Sequence, residues 1–387
     1  MAQMTEYDVI VVGAGPAGAG MAALLAAQGR RVLLLEKERF PRYKACAGGI
    51  DGVAVRALAS MGIDAGPVCQ DAPTELCVTS GGRYPAVYRF GRPLALMAMR
   101  SDFDTLIARS AVARGAEFHD GEPVKTVLDD GRMITVTTAK GRYQGRTLVG
   151  ADGVYSVVAR TFGLNPNPIL YVLAEAEVEV AAEVQASWAG RAQIDISVWP
   201  LGYSWIFPKR SHLSIGTGVP RRYAKQLALR FERFSRSSHL ENGAVLQQRS
   251  HMLGFRRRQA PLALDRVLLV GDAAGLVDPN TGGGIGWALR SAQLASAAIL
   301  SYLGGDTRTL GDYTKLIDAE LEPEFRAARV LRNGIILRFI LTGGRATRHS
   351  GLWNQVARIL QGEECYQQWH THSRLAKWLA WTEAIPL

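Results

Sequence analysis

Three glycines and one acid supply the first recognisable chemistry. The run Gly13-x-Gly15-x-x-Gly18 is followed by Glu36, 18 residues after the last glycine. Gly13 permits a tight turn, Gly15 lets the backbone approach a pyrophosphate, and Gly18 lets a helix pack closely on a strand. A helix starting at Pro16 would aim its N-terminus, with Ala17 and Gly18, at the phosphate charge. Glu36 is placed to accept hydrogen bonds from an adenosine ribose, with Lys37 beside it, and an acid there argues against a 2′-phosphate. The spacing describes a dinucleotide cradle without deciding which dinucleotide it holds.

Two further groups could do chemistry. Tyr203, Trp205 and Phe207 alternate, so in a strand they share one face and form an aromatic wall suited to a long apolar substrate or to an ordinary sheet core. Cys46 is isolated in Pro41-Arg42-Tyr43-Lys44-Ala45-Cys46-Ala47-Gly48-Gly49, where it reads either as a small buried hydrophobe or as a reactive group. Asp152, before Gly153, reads as a turn former, and Asp272 as a helix N-cap. His370-x-His372 matches no metal set and the four cysteines form no C-x-x-C pair, so no metal site and no disulfide framework are expected.

The elements that must position these residues follow from the apolar pattern. Tyr7 to Val12 is a short buried strand, Pro16 to Gln28 an Ala-rich helix with Gly29 as its cap, and Arg31 to Leu35 a second strand, which together make a β-α-β unit. Mixed short strands and turns are expected from Val53 to Met99, with a hairpin at Gly81-Gly82, then a helix from Asp102 to Ala113. Gly131 to Val149 alternates like a hairpin. Tyr171 to Gly218 reads as an antiparallel sheet, with Ile194, Ile196 and Val198 at period two. Val267 to Val270 is another buried strand, Gly286 to Leu303 a helix, and the chain beyond Leu310 is helical.

A chain of 387 residues with 48% apolar and 21% charged residues builds its own core, which rules out disorder and a small stapled scaffold. No run is long and apolar enough to span a membrane, and no secretory signal is read at the N-terminus. The net charge of +10 is spread along the chain; its one compact run, Arg256 to Arg258, lacks interleaved aromatics and reads as a solvated loop, so nucleic acid is not expected. The tail holds Trp369, Trp378 and Trp381 among Arg374 and Lys377. These suit a helix lying on a membrane or a helix packed on the rest of the protein. The expected location is cytoplasmic, with peripheral contact at the inner face of the cell membrane under the first reading.

Three motifs in order resemble the FAD-dependent oxidoreductases that include the aromatic hydroxylases. They are the Gly13 cradle, Gly150-Ala151-Asp152-Gly153-x-x-Ser156-x-x-x-Arg160, and Leu269-Val270-Gly271-Asp272-Ala273-Ala274-Gly275. Arg100 matches a phosphate-contacting arginine of that class, and Asp272 an aspartate near the ribityl chain. The Lys44 to Gly49 segment, the complete Tyr203-x-Trp205-x-Phe207-Pro208-Lys209-x6-Gly216 motif and the Asp278 to Ile285 loop narrow the resemblance to the geranylgeranyl reductase family. It runs from Tyr7 to about Leu303. Ala45, Ala47 and Gly283 depart from residues common in the family.

The resemblance implies an α/β fold: a Rossmann-like FAD-binding domain (1–50, 100–160, 261–305), an inserted antiparallel-sheet substrate domain (51–99, 161–260) and a helical C-terminal region (306–387). It implies FAD held by Gly13, Gly15, Ala17, Gly18, Glu36, Lys37, Cys46, Ala47, Gly49, Arg100, Val124, Asp272, Gly284 and Ile285, and an external electron donor, NAD(P)H or ferredoxin. Cys46, Tyr203 and Trp205 would be catalytic, with Tyr203, Trp205 and Phe207 against a polyprenyl chain whose double bonds are reduced. A flavin monooxygenase or halogenase is the alternative, since halogenases carry a similar aromatic strand; a flavin-binding redox sensor without turnover is a third reading.

Overall fold

The computed structural model describes residues 6–197 and 202–379. Glu6–Val12 is central in the larger sheet, pairing in parallel with Val32–Leu35 on one side and Arg142–Gly150 on the other. Val267–Leu269 and Glu117–His119 extend the parallel array at either side. Val9 to Val12 and Val32 to Leu35 are buried without a polar interruption, as a sheet covered on both faces requires. Helices Pro16–Ala27, Arg100–Ala113 and Ile285–Gly304 pack around this sheet, and Ile134–Thr137 adds the expected hairpin partner to Arg142–Gly150.

The second sheet has seven strands in the order Ala244–Phe255, Ile169–Glu179, Leu213–Pro220, Gly202–Pro208, Arg191–Ser197, Glu75–Ser80, Arg83–Arg89. Neighbours run antiparallel except Arg191–Ser197 and Glu75–Ser80, which are parallel. Gly81 and Gly82 both take positive φ, +57° and +73°, which is the two-residue hairpin turn their sequence suggests. One face of the sheet packs Ala176, Val178, Ile206, Ile215 and Phe234 into a small core beneath helix Leu227–Ser237. The opposite face presents Tyr171, Leu173, Glu175, Tyr203, Trp205 and Phe207 to a cavity shared with the parallel-sheet region.

The remainder is helical, as expected: Tyr313–Glu320, Glu322–Thr342, Ser350–Leu360, Tyr366–His372 and Arg374–Leu379. Two local expectations need correction, one strand went unread, and one of two open readings of Trp369 is decided. Residues 52–60 form a helix whose N-cap is Asp51, its carboxylate accepting from the Ala54 amide at 2.9 Å, where strands and turns were expected. Ala244–Phe255 is a 12-residue strand with no apolar alternation; it is an edge strand and most of it faces water. In the run Arg256 to Arg258 the last two are exposed as expected, but the Arg256 side chain is buried, bonded to Asp318 at 2.6 Å and to the Ala260 carbonyl. Trp369 is buried in the main core against helix Glu322–Thr342, so it faces protein and not lipid. Val198, Trp381 and the side chains of Arg374 and Trp378 lie outside the described residues. Among the described residues no helix is long and apolar enough to cross a membrane.

Candidate active site

The cradle is built by close backbone packing. Gly13 has φ +102°, and a Cβ there would fall 2.3 Å from the Ala151 carbonyl oxygen; one on Gly18 would fall 1.9 Å from that of Gly13. Gly15 has nothing within 4 Å of where its Cβ would be, which leaves room for the pyrophosphate the spacing called for. Pro16 opens the helix, so the first amides after it face the same space without intrahelical partners. Glu36 is 5% exposed; its Oε2 accepts from the Ala14 amide at 2.8 Å and its Oε1 from Glu38 at 3.1 Å. It therefore braces the glycine loop while still lining the cavity, together with Lys37 and Val124.

Arg100 and Cys46 meet beneath the Lys44 to Gly49 segment. The Arg100 guanidinium clasps Asp104 through two bonds of 2.8 Å, and the nearby Cys46 sulfur adds to what favours the guanidinium charge. Arg42 adds a second cation to Asp104 at 2.9 Å, and these arginines hold the fully buried carboxyl below its ordinary range against the opposing effect of burial. Cys46 Sγ also accepts from the Gly48 amide at 3.4 Å. Lys44 lies 3.6 Å from Asp272, whose carboxyl is lowered because Lys44, His251 and Arg100 outweigh its burial. Burial and the neighbouring Lys44 keep His251 neutral.

The Asp278 to Ile285 loop is pinned from both sides. Asp278 Oδ1 accepts from the amides of Asn280 and Thr281, and its Oδ2 accepts from the Tyr366 hydroxyl at 2.8 Å. A Cβ on Gly282, where φ is +70°, would fall 2.8 Å from the Tyr203 hydroxyl, so the loop and the aromatic strand touch there. Gly284 and Ile285 follow along the cavity wall and start the long helix. Burial pushes the Asp51 carboxyl, close to the same loop, up to about 6, with Asp278 adding to the effect. Asp152 caps the helix Val157–Phe162 through its Oδ2, while its Oδ1 is buried without a partner. Its turn-forming role and its place in the cavity wall are compatible.

Beyond the loop the cavity becomes apolar. Ile194, Ile196, Trp205 and Phe207 line it from the sheet, and Ile336, Ile340, Trp353 and Val356 from the C-terminal helices, within a total volume of about 1380 Å³. Tyr203 and Trp205 have ring centroids 5.6 Å apart, and burial keeps the Tyr203 phenol protonated. The structure thus brings every sequence-predicted site residue but Gly18 to one cavity surface, and Gly18 supports Gly13 from behind it.

Sequence reasoning missed a polar cluster at one end of that wall. Glu175 and Glu177 project on the same face of their strand, and burial and mutual repulsion hold Glu175 well above the usual carboxylate range. Tyr43 donates to Glu175 at 3.3 Å, His212 Nε2 lies 3.1 Å from Glu177, and the buried Lys209 donates to the Ala47 carbonyl at 2.6 Å. Lys209 thereby ties the aromatic motif to the Cys46 segment. Asp51, Tyr366 and the helix face at Ile336 and Ile340 were missed as well; only the i, i+4 spacing of the last pair gives a local signal.

A parallel-sheet nucleotide domain joined to an antiparallel sheet over one cavity defines a flavoprotein oxidoreductase, and residues 6–315 match the family described as an FAD binding domain. The cradle, with its open space at Gly15 and the buried, unpartnered Asp152 oxygen, fits that cofactor. The chain belongs to the geranylgeranyl reductase family of FAD-dependent oxidoreductases. It is 30% identical over 343 residues to digeranylgeranylglycerophospholipid reductase 1 of Methanopyrus kandleri, covering 83% of this chain and 87% of that one. It is 30% identical over 381 residues to the menaquinone reductase of Mycobacterium tuberculosis, covering 91% and 90%. In fold it is similar to a geranylgeranyl bacteriochlorophyll reductase-like protein of Thermoplasma acidophilum (TM-score 0.76, 22% identity, 99% and 98% covered). A flavin-dependent brominase shares the fold to a comparable degree (TM-score 0.74, 23% identity, 92% and 94% covered).

Proposed function

We propose that the protein saturates carbon-carbon double bonds of a polyprenyl chain carried by a lipid or quinone, with FAD recharged by NAD(P)H or ferredoxin. The observation that carries this reading is the apolar arm of the cavity, walled by Trp205, Phe207, Ile194, Ile196, Ile336 and Ile340 and starting at the Gly282 loop. Reduced FAD supplies a hydride for one alkene carbon. The other carbon takes a proton, so each saturated bond gains two hydrogens.

The chain's own residues orient and shield. An isolated alkene offers no carbonyl to polarise, so placement of the chain against Tyr203 and Trp205 must contribute heavily. The apolar arm excludes water. Tyr203 holds an exchangeable proton at the wall, and Tyr43, backed by the proton-retaining Glu175, holds a second. Relatives named as phospholipid, menaquinone and geranylgeranyl diphosphate reductases support the chemistry.

The test is an anaerobic one. Chemically reduced enzyme mixed with a geranylgeranyl lipid should be reoxidised and yield product heavier by two hydrogens per bond. Trp205→Ala should slow this step far more than flavin reduction, because the lost ring positions only the alkene. A requirement for oxygen, with oxygen or halogen added to the product, would replace the reductase by a monooxygenase or halogenase.

A further inference from the structure

The cavity opens where helix Glu322–Thr342 ends. Ile340 lines the cavity and is also 55% exposed, so its side chain stands at the rim; Leu341 next to it is 76% exposed. Two adjacent large aliphatic residues stand exposed at the mouth of an apolar cavity and extend its apolar lining outward. The charge around them is one-sided. Between Glu324 and Glu363 the chain has seven arginines and no acidic residue; Arg329 and Arg358 pair with Glu322, Glu363 and Glu364 at or beyond the ends of that span. Arg338 lies one turn before the end of the helix, and Arg345 and Arg348 are exposed in the turn that follows Gly343-Gly344. The strand packed beside that turn, Arg83–Arg89, adds Arg83, its Arg89 being paired with Glu75; Tyr88 on it donates to the Thr347 carbonyl, and Arg345 sits 5.7 Å over the Tyr84 ring.

We propose that this rim, with Ile340 and Leu341 set among Arg338, Arg345 and Arg348, docks on an anionic lipid bilayer so that a polyprenyl chain enters the cavity from the acyl layer. Apolar side chains reach below the headgroups while the guanidiniums stay level with lipid phosphates, which is how basic amphipathic surfaces bind such membranes. A long isoprenoid chain has little solubility in water, and an opening against lipid removes the need for it to cross solvent. Helix positions 332, 336 and 340 all line the cavity, which gives about 12 Å of wall from the rim toward the Asp278 loop at 1.5 Å per residue. Entry of a polyprenyl chain rests on the reductase reading. Docking does not, and it differs from the tail-helix reading in placing the contact at residues 338–348.

FAD-loaded protein should float with vesicles of mixed phosphatidylcholine and phosphatidylglycerol, and not with pure phosphatidylcholine, and the binding should weaken as salt is raised. Leu341→Asp, and separately Arg345→Glu with Arg348→Glu, should lower vesicle partitioning by about tenfold or more while FAD content is kept. No binding to the anionic vesicles, or variants that bind like the parent, would overturn the proposal. So would a parent dimer that Leu341→Asp converts to monomer, because a second copy would then be what covers the rim. Turnover of a detergent-solubilised geranylgeranyl lipid is measured in parallel: vesicle binding without that turnover sinks the reductase reading and leaves docking standing, and turnover without vesicle binding does the reverse.

Discussion

The indole of Trp205 lies directly over Gly216, its partner across the sheet: a Cβ on Gly216 would fall 2.0 Å from the ring. This contact gives the glycine that ends the aromatic motif a physical reason. Gly216 is what allows a tryptophan to lie flat against its own sheet and leave the cavity open. Gly216→Ala should force the ring outward or strain the strand, at a cost of about 1 to 3 kcal/mol. Urea unfolding should show that loss, and alkene turnover should fall further than FAD content. An unchanged unfolding midpoint with full turnover would mean that the ring moves aside freely.

Glu36 braces the glycine loop and is expected to hold the ribose as well. Glu36→Ala removes the acceptor of the Ala14 amide along with a charge-assisted bond to the cofactor. Titration of apo-protein with FAD should show affinity weaker by about 1.5 to 3 kcal/mol. Equal affinity would return Glu36 to a purely structural role.

Cys46 accepts from the Gly48 amide through its sulfur and lies in the cavity wall. Cys46→Ala should leave FAD content nearly intact yet change either the rate or the number of double bonds reduced. If product analysis and rate both match the parent, Cys46 is a packing residue.

Asp51 gives a pH signature. Its folded-state carboxyl is raised to about 6 from 3.8, so the folded state binds the proton more tightly than the unfolded chain does. Its stabilising contribution is complete below about pH 3.8 and is lost as pH rises through about 6. Asp51→Asn keeps the helix-capping oxygen without the charge. The stability difference, variant minus parent, should grow across that window by up to about 3 kcal/mol, from two units at 1.36 kcal/mol each. A flat difference in urea midpoints from pH 4 to 7 would contradict the shift.

Tyr366 reaches the flavin loop from the C-terminal region, where no motif is found. Tyr366→Phe leaves Asp278 without its 2.8 Å donor and should cost roughly 1 to 2 kcal/mol of stability, with weaker FAD retention on gel filtration. Unaltered FAD retention would detach the loop's order from the C-terminal helices.

How much of this was legible beforehand depended on how local each signal is. The Gly13 cradle, the parallel strands and the helix after Gly284 follow from nearest-neighbour rules: positive φ, buried apolar runs and caps act within a few residues, so their residue types record them. The shared face of Tyr203, Trp205 and Phe207 follows from strand periodicity in the same way. Strand Ala244–Phe255 did not show, because an edge strand facing water needs no apolar alternation and its place is set by pairing with Ile169–Glu179.

The sequence by itself determined the nucleotide cradle, the family and the aromatic wall. Only the tertiary structure decided what closes around them: Lys209 on the Ala47 carbonyl, Tyr366 on Asp278, the paired Glu175 and Glu177, and the basic rim at Ile340. The Lys209 and Tyr366 contacts join residues 88 or more positions apart, Glu175 and Glu177 are near neighbours whose burial is set by distant chain, and the rim turns on which side of a helix is left uncovered. Burial, desolvation and charge pairing across such separations are properties of the packed chain, and no local residue preference encodes them.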